Sequence, residues 1–182
     1  MLDSFRTRAE TRRKASEIYG AVVTQARAPQ FYADLGVPDT PSGRYEMVAL
    51  HVFLVLERLR PVEDRASALP RMLVEAFVAD MDDSLRELGT GDLAVPKKVR
   101  RAAAGLYERS HSYRTALAAP DDTALRALLI EHAYAGTVHP GADALARYVR
   151  NAVGLLAEGD AVEALLARRA FPSPGRTAGE AA

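Results

Sequence analysis

The chain has 182 residues, of which 48% are hydrophobic and 26% charged, with 24 basic and 24 acidic side chains and no cysteine. That size and balance describe one globular domain with room for a real core. The missing cysteine excludes disulfides, thiolate nucleophiles and zinc–thiolate centres and suits a reducing compartment.

Alanine, leucine and arginine dominate, β-branched residues are few, and no segment alternates polar and apolar for long, so an all-α fold is expected. A single compact bundle of about six helices with a buried central helix fits the pattern. The N-terminal residues lack the continuous apolar stretch of a secretory signal, and residues 1–14 read as a basic extension ahead of a helical domain at 15–170. The first helix is expected over Thr7–Arg27, with Ala15, Ile18, Val22 and Ala26 on one face, ending where Pro29 disfavours helical geometry at Ala28. The connection from Gln30 to Ser42 carries Phe31, Tyr32, Leu35 and Val37, and an apolar loop of this kind should fold over the core.

The second helix, about Gly43–Leu59, is apolar nearly all round between Met47 and Leu56, which belongs at the centre of a bundle. That run is ten residues, too short to span a bilayer, so a cytoplasmic protein is expected. A third helix, about Ala68–Leu88, tolerates Pro70 in its first turn, buries Leu73, Phe77, Met81, Leu85 and Leu88, and stops at Gly89. Pro96 opens a fourth helix reaching about Leu117, with Val99, Ala103, Leu106, Ser110 and Tyr113 on one stripe. Asp121 or Asp122 caps a fifth, ending near Gly136. The sixth starts after Pro140 and Gly141, pauses at Gly159, and restarts with Asp160 as cap and Glu163 three residues on. Residues 171–182, FPSPGRTAGEAA, read as a disordered tail.

The neutral total hides charge blocks. Residues 31–95 hold six basic and twelve acidic side chains, whereas residues 96–118 hold six basic and one acidic. The join lies in DMDDSLRELGTGD, residues 80–92, where four aspartates fall within thirteen positions. Asp80, Asp83 and Glu87 share one side of a helix, and Asp82 can pair with Arg86 at i+4. The calcium-loop pattern fails for want of its glycine and terminal glutamate. The Asp-x-Asp-Asp order at 80–83 resembles an acid motif of some terpene cyclases, but this chain is too small for the apolar barrel those enzymes need. No metal is expected here, and the acids are read either as a solvated face or as an acidic docking face.

Lys97, Lys98, Arg100 and Arg101 then crowd the start of the fourth helix, the end where the macrodipole favours negative charge. Either they are solvated or paired with Asp80, Asp83 and Asp92, or they are retained for an anionic partner. Without interleaved aromatics a dedicated nucleic-acid domain is not supported, and no DNA partner is expected. His51, inside the central helix, reads as a buried, hydrogen-bonded histidine, and His111, His132 and His139 have no companion at ligand spacing. There is no Gly-x-Ser-x-Gly elbow and no phosphate-cradling glycine loop, so an enzyme reading has no constellation behind it and no cofactor is expected. The core is expected to include His51, Phe53, Leu54, Phe77 and Met81.

Three ordered segments carry a resemblance: QARAPQFY (25–32) running on to GVPDT (36–40), GRYEM (43–47) with LHVFL (50–54), and DMDDSLRELGTGDLAVPKK (80–98). Together they resemble the ubiquinol–cytochrome c chaperone family over roughly residues 15–157, with Tyr107, Glu108, Arg109 and Tyr113 continuing the pattern. Tyr45 stands where phenylalanine is common and Thr90 where an aliphatic is common; the first dozen residues and those after Gly159 carry no resemblance. The resemblance implies a non-catalytic assembly factor for the cytochrome bc1 complex whose client is cytochrome b, nascent or newly inserted. The ribosome, a small helical partner protein and peripheral contact at the cytoplasmic face of the inner membrane stay open alongside it.

On that reading the candidate partner-binding residues are Asp80, Asp83, Arg86, Glu87, Gly89, Gly91, Asp92, Lys97, Lys98, Arg101, Tyr107 and Arg109. Two alternatives remain: a small helical enzyme or binder of an isoprenoid or quinone, and a ribosome- or RNA-docking module. A deep closed apolar pocket reaching Asp80 or Asp83 would favour the former, and a continuous basic stripe the latter.

Overall fold

The computed structural model describes residues 2–60, 68–87, 89 and 91–175. In chain order its helices are α1 (Leu2–Ala26), α2 (Pro29–Ala33), α3 (Pro41–Leu59), α4 (Leu69–Glu87), α5 (Val95–Ala118), α6 (Thr123–His132), α7 (Gly141–Ala157) and α8 (Ala161–Leu166). The protein is all-α, and six of these helices are ten residues or longer.

Prolines and short polar side chains set most of the joints. Ala28 takes an extended conformation (φ −57°, ψ 126°) because a proline follows, and Pro29 then opens α2 at its first turn. The 30–42 connection is therefore partly helical, a correction to its reading as a loop, though Phe31, Leu35 and Val37 are buried in it. Thr40 caps α3 through its hydroxyl, which accepts from the Gly43 amide at 3.1 Å, with Pro41 in the first turn. Asp160 caps α8 by accepting from the amides of Val162 and Glu163. The fifth long helix stops at His132, four residues short of the expected end, because Ala135 (φ 51°) and Gly136 (φ 81°) turn left-handed. α1 begins at Leu2, so the expected extension at 1–14 continues the first helix.

α3 lies at the centre, packed against α1, α4, α5 and α7, and every residue from Met47 to Val55 is buried. Phe53 stacks on Tyr113 of α5 at 5.5 Å between ring centroids. Leu56, expected inside, is half-buried. On α4 the buried residues are Met72, Leu73 and Phe77, while Met81 and Leu85 are only half-buried and Leu88 lies outside the described residues. Beyond Phe77, α4 packs on the core only through half-buried side chains such as Val78 and Met81. Between Phe77 and Leu106, Val95 is the one fully buried apolar side chain among the described residues.

The C-terminal segment also differs from expectation at its start. Phe171 meets the His51 ring edge-on at 5.2 Å, Pro174 is buried, and the Pro172 carbonyl accepts from Gln25 Nε2 at 3.0 Å. Residues 171–175 therefore pack on the bundle, and the remainder of the segment read as a tail, 176–182, lies outside the described residues.

Candidate functional site

The underpacked distal parts of α4 and α5 are flanked by two open grooves. The first, about 1220 Å³, runs between the start of α3, the end of α4 and the first half of α5. Its apolar surface comes from Tyr45, Val48, Met81, Leu85 and Ala102. Its α4 rim carries Asp80 and Glu87, and its α5 rim carries Lys98 and Arg101. The second, about 800 Å³, lies on the other side of the pair, over Phe53, Leu56, Val74, Val78, Val99 and Tyr107, with Asp82 and Asp83 beside it. Asp80, Asp83 and Glu87 therefore do not make one acidic face: Asp83 belongs to a different groove.

Beneath the first groove sits an ion pair that joins α3 to α5. Arg109 donates through Nε to Glu46 Oε2 at 2.8 Å and through Nη2 to Oε1 at 2.7 Å, a bidentate arrangement. The guanidinium also lies over the Tyr45 ring, 5.6 Å from its centroid, while the Tyr45 hydroxyl donates to the Ala102 carbonyl. Burial pushes the Glu46 carboxyl above its ordinary range, and the charge and hydrogen bonds of Arg109 offset this only in part. Gly105 leaves room for this guanidinium: a Cβ at that position would displace Arg109 Nη1. Arg109, a candidate for partner contact in the sequence, is thus paired with Glu46 while still lining the first groove.

Several acids of the 80–92 stretch are likewise held within the chain. Asp80 Oδ2 accepts from the Tyr19 hydroxyl of α1 at 2.7 Å, and burial followed by that carboxylate drives the phenol's pKa well up. Arg86 bridges Asp82 and Asp92, each at 2.6 Å. Gly89 has φ 75°, the left-handed value that favours glycine just past a helix end, and its amide donates to the Arg86 carbonyl. Asp83, Glu87, Lys97 and Arg101 are exposed and enter no ion pair among the described residues. Of the alternatives for these cations, pairing with Asp80, Asp83 or Asp92 is not found for Lys97 or Arg101 among the described residues. Gly91 opens the turn before α5, and its carbonyl accepts from the amides of Ala94 and Val95. Tyr107 is 62% exposed at the second groove.

His51 is fully buried. Its Nδ1 is 2.7 Å from the Met47 carbonyl and its Nε2 2.7 Å from the Tyr148 hydroxyl, so both ring nitrogens are satisfied within the core. Among the described residues no three His, Asp or Glu side chains gather where they could hold a metal ion. The groove next to Asp80 is open and rimmed by charges of both signs, unlike the closed apolar chamber that an isoprenoid site would need. What the arrangement offers is a two-sided surface: an apolar channel between an acidic and a basic helix edge.

An all-helical bundle with open grooves beside a charge-segregated helical hairpin is the class of protein defined so far. Residues 33–170 match the ubiquinol–cytochrome C chaperone family, and the chain belongs to that family. The match begins at residue 33, so the QARAPQFY segment at 25–32 lies outside it, and it extends to residue 170, beyond Gly159. The structure is similar to the crystal structure of the Cbp3 homolog from Brucella abortus, with a TM-score of 0.78 and 38% sequence identity over 92% of this chain and 93% of that one. No curated protein matches the chain at a significant level.

Proposed function

We propose that the protein is a non-catalytic assembly factor that holds cytochrome b, newly made or newly inserted, while the bc1 complex is built, and that the first groove is where the client docks. The observation that carries the docking site is the pairing of half-buried Tyr45, Met81 and Leu85 with a basic rim on one side and an acidic rim on the other. Cytochrome b is an integral membrane protein, so its helices present apolar faces with charged ends, and such a segment complements a channel of this kind. Membership of the chaperone family and the similarity to a Cbp3 homolog support the assembly role. The second groove and the ribosome are left outside this reading.

The test is capture of cytochrome b from detergent-solubilised membranes by the tagged protein. Wild type is expected to recover it, and Met81→Glu with Leu85→Glu to lose it while keeping the helical circular dichroism and melting of the parent, since both side chains are only half-buried. Recovery of cytochrome b by the folded double variant, or normal bc1 levels in cells carrying it, would overturn the assignment.

A further inference from the structure

Leu93 is 99% exposed, although Val95 two residues on is fully buried and pins the same turn to the bundle. Its exposure is therefore built into a fixed turn, since the chain on its C-terminal side is anchored. Asp92, the acid next to it, is held by Arg86 at 2.6 Å, which mutes the negative charge at the tip. On the other side, the first two turns of α5 display Lys97, Arg100 and Arg101, all exposed. Arg100 reaches only its own helix, at the Pro96 carbonyl, and Lys97 and Arg101 have no ion partner among the described residues. On a helical wheel these three cations fall within about one third of a turn of one another, with Arg101 at the edge that also forms the rim of the first groove.

We propose that this tip, Leu93 with Lys97, Arg100 and Arg101, is a contact for an anionic lipid surface. A single fully exposed leucine costs little in water but is drawn to the acyl boundary of a bilayer, and a cluster of cations beside it is drawn to anionic headgroups. Either signal alone gives weak, reversible attachment, and the two together make it selective for charged membranes. RNA is the less suitable occupant, because residues 86–101 contain no aromatic side chain on which a base could stack. No helix among the described residues is long and apolar enough to cross a membrane, so contact through this tip is peripheral. Such a contact would hold the hairpin, and the grooves on either side of it, against the surface where an integral membrane client emerges.

The experiment is flotation of the full chain with vesicles of phosphatidylcholine alone or of phosphatidylcholine mixed with phosphatidylglycerol. Wild type should float with the mixed vesicles at low salt and be released as salt rises through the screening range. Leu93→Asp should weaken this about tenfold, and Lys97→Glu with Arg100→Glu should remove the preference for the anionic vesicles. Melting curves check that the exposed substitutions leave the fold intact. Equal flotation with both vesicle types, no flotation, or unchanged flotation of Leu93→Asp would each overturn the proposal. So would loss of RNA binding in the charge-reversed protein without any vesicle binding by wild type. Capture of cytochrome b in detergent, which has no bilayer, reads the groove separately, so the two assignments fail independently.

Discussion

The Tyr148 hydroxyl donates to His51 Nε2 at 2.7 Å, and this contact fixes the protonation of the central helix. The Met47 carbonyl can only accept, so His51 Nδ1 carries the proton and Nε2 is left as acceptor. Tyr148, having spent its proton on the histidine, accepts in turn from Gln25 Nε2 at 3.1 Å, and the same amide donates to the Pro172 carbonyl. One directed chain of hydrogen bonds thus ties α1, α3, α7 and the C-terminal segment together. With every member satisfied, the network is compatible with a core that is otherwise apolar.

A neutral His51 has a consequence for acid stability. Burial lowers its pKa to about 4 from an ordinary 6.5, the bond to Met47 opposing this in part. Protonation therefore favours the unfolded chain. The stability is fully present above the unfolded value near 6.5 and is lost as pH falls towards the folded value near 4, by about 3 kcal/mol in total. Chemical denaturation across that pH range should show the decline, and it should flatten in His51→Gln. The His51 resonance, assigned by its loss in His51→Gln, titrating near its ordinary value in the folded protein would refute the assignment.

Tyr148→Phe should be costly for its size. It leaves the fully buried His51 ring nitrogen without a partner, a loss of about 1–3 kcal/mol, while the half-buried Gln25 amide keeps its bond to the Pro172 carbonyl. Phe53→Ala, which empties the site stacked on Tyr113, should cost about 3–5 kcal/mol, a large fraction of a typical domain's stability. Urea midpoints measure both, and a Phe53→Ala protein melting like wild type would remove α3 from the centre of the fold.

Glu46 and Arg109 should behave as a unit. Arg109→Ala strands a carboxylate that is 8% exposed, and removal of one partner from such a pair costs about 3–5 kcal/mol. Glu46→Leu combined with Arg109→Met should recover most of that loss, because an apolar pair of similar volume avoids the desolvation of two charges. A double-mutant cycle decides the matter; additive losses would mean that the two side chains do not interact.

Much of the helix pattern was legible because its joints are chemical. Pro29, Pro96, Gly89 and Asp160 act over one or two residues, and their effects survive whatever the rest of the chain does. α2 was missed because Pro29 was read only as the end of one helix, when proline in a first turn also opens the next. Leu56, Met81 and Leu85 carry a core signature in periodicity, yet each is half-buried and lines a groove, which only the packing of α3, α4 and α5 decides. The candidate site was legible as a segment and not as a geometry. Arg109 finds Glu46 across 63 positions and Asp80 finds Tyr19 across 61, separations over which no local spacing rule operates. The polar nature of each side chain was plain, but whether it faces a partner or the protein's own interior is decided by tertiary packing.

The start of α5 should trade stability against assembly. Ala94 offers no side-chain cap, the first turn holds no acid, and Lys97, Lys98, Arg100 and Arg101 oppose the macrodipole there. Lys97→Glu with Arg101→Glu reverses two of these charges, of which Lys97 lies in the first turn, where an acidic side chain contributes about 0.3–1 kcal/mol to a helix. The double variant should therefore melt at or slightly above the wild-type temperature. If those cations are retained for contacts outside the chain, on the groove rim and the hairpin tip, the same variant should lower the bc1 complex level in cells that hold it at normal abundance. Association measured in solution should weaken with salt for wild type and much less for the variant. A variant that is both more stable and fully competent in bc1 assembly would reduce the basic start of α5 to a solvated helix end.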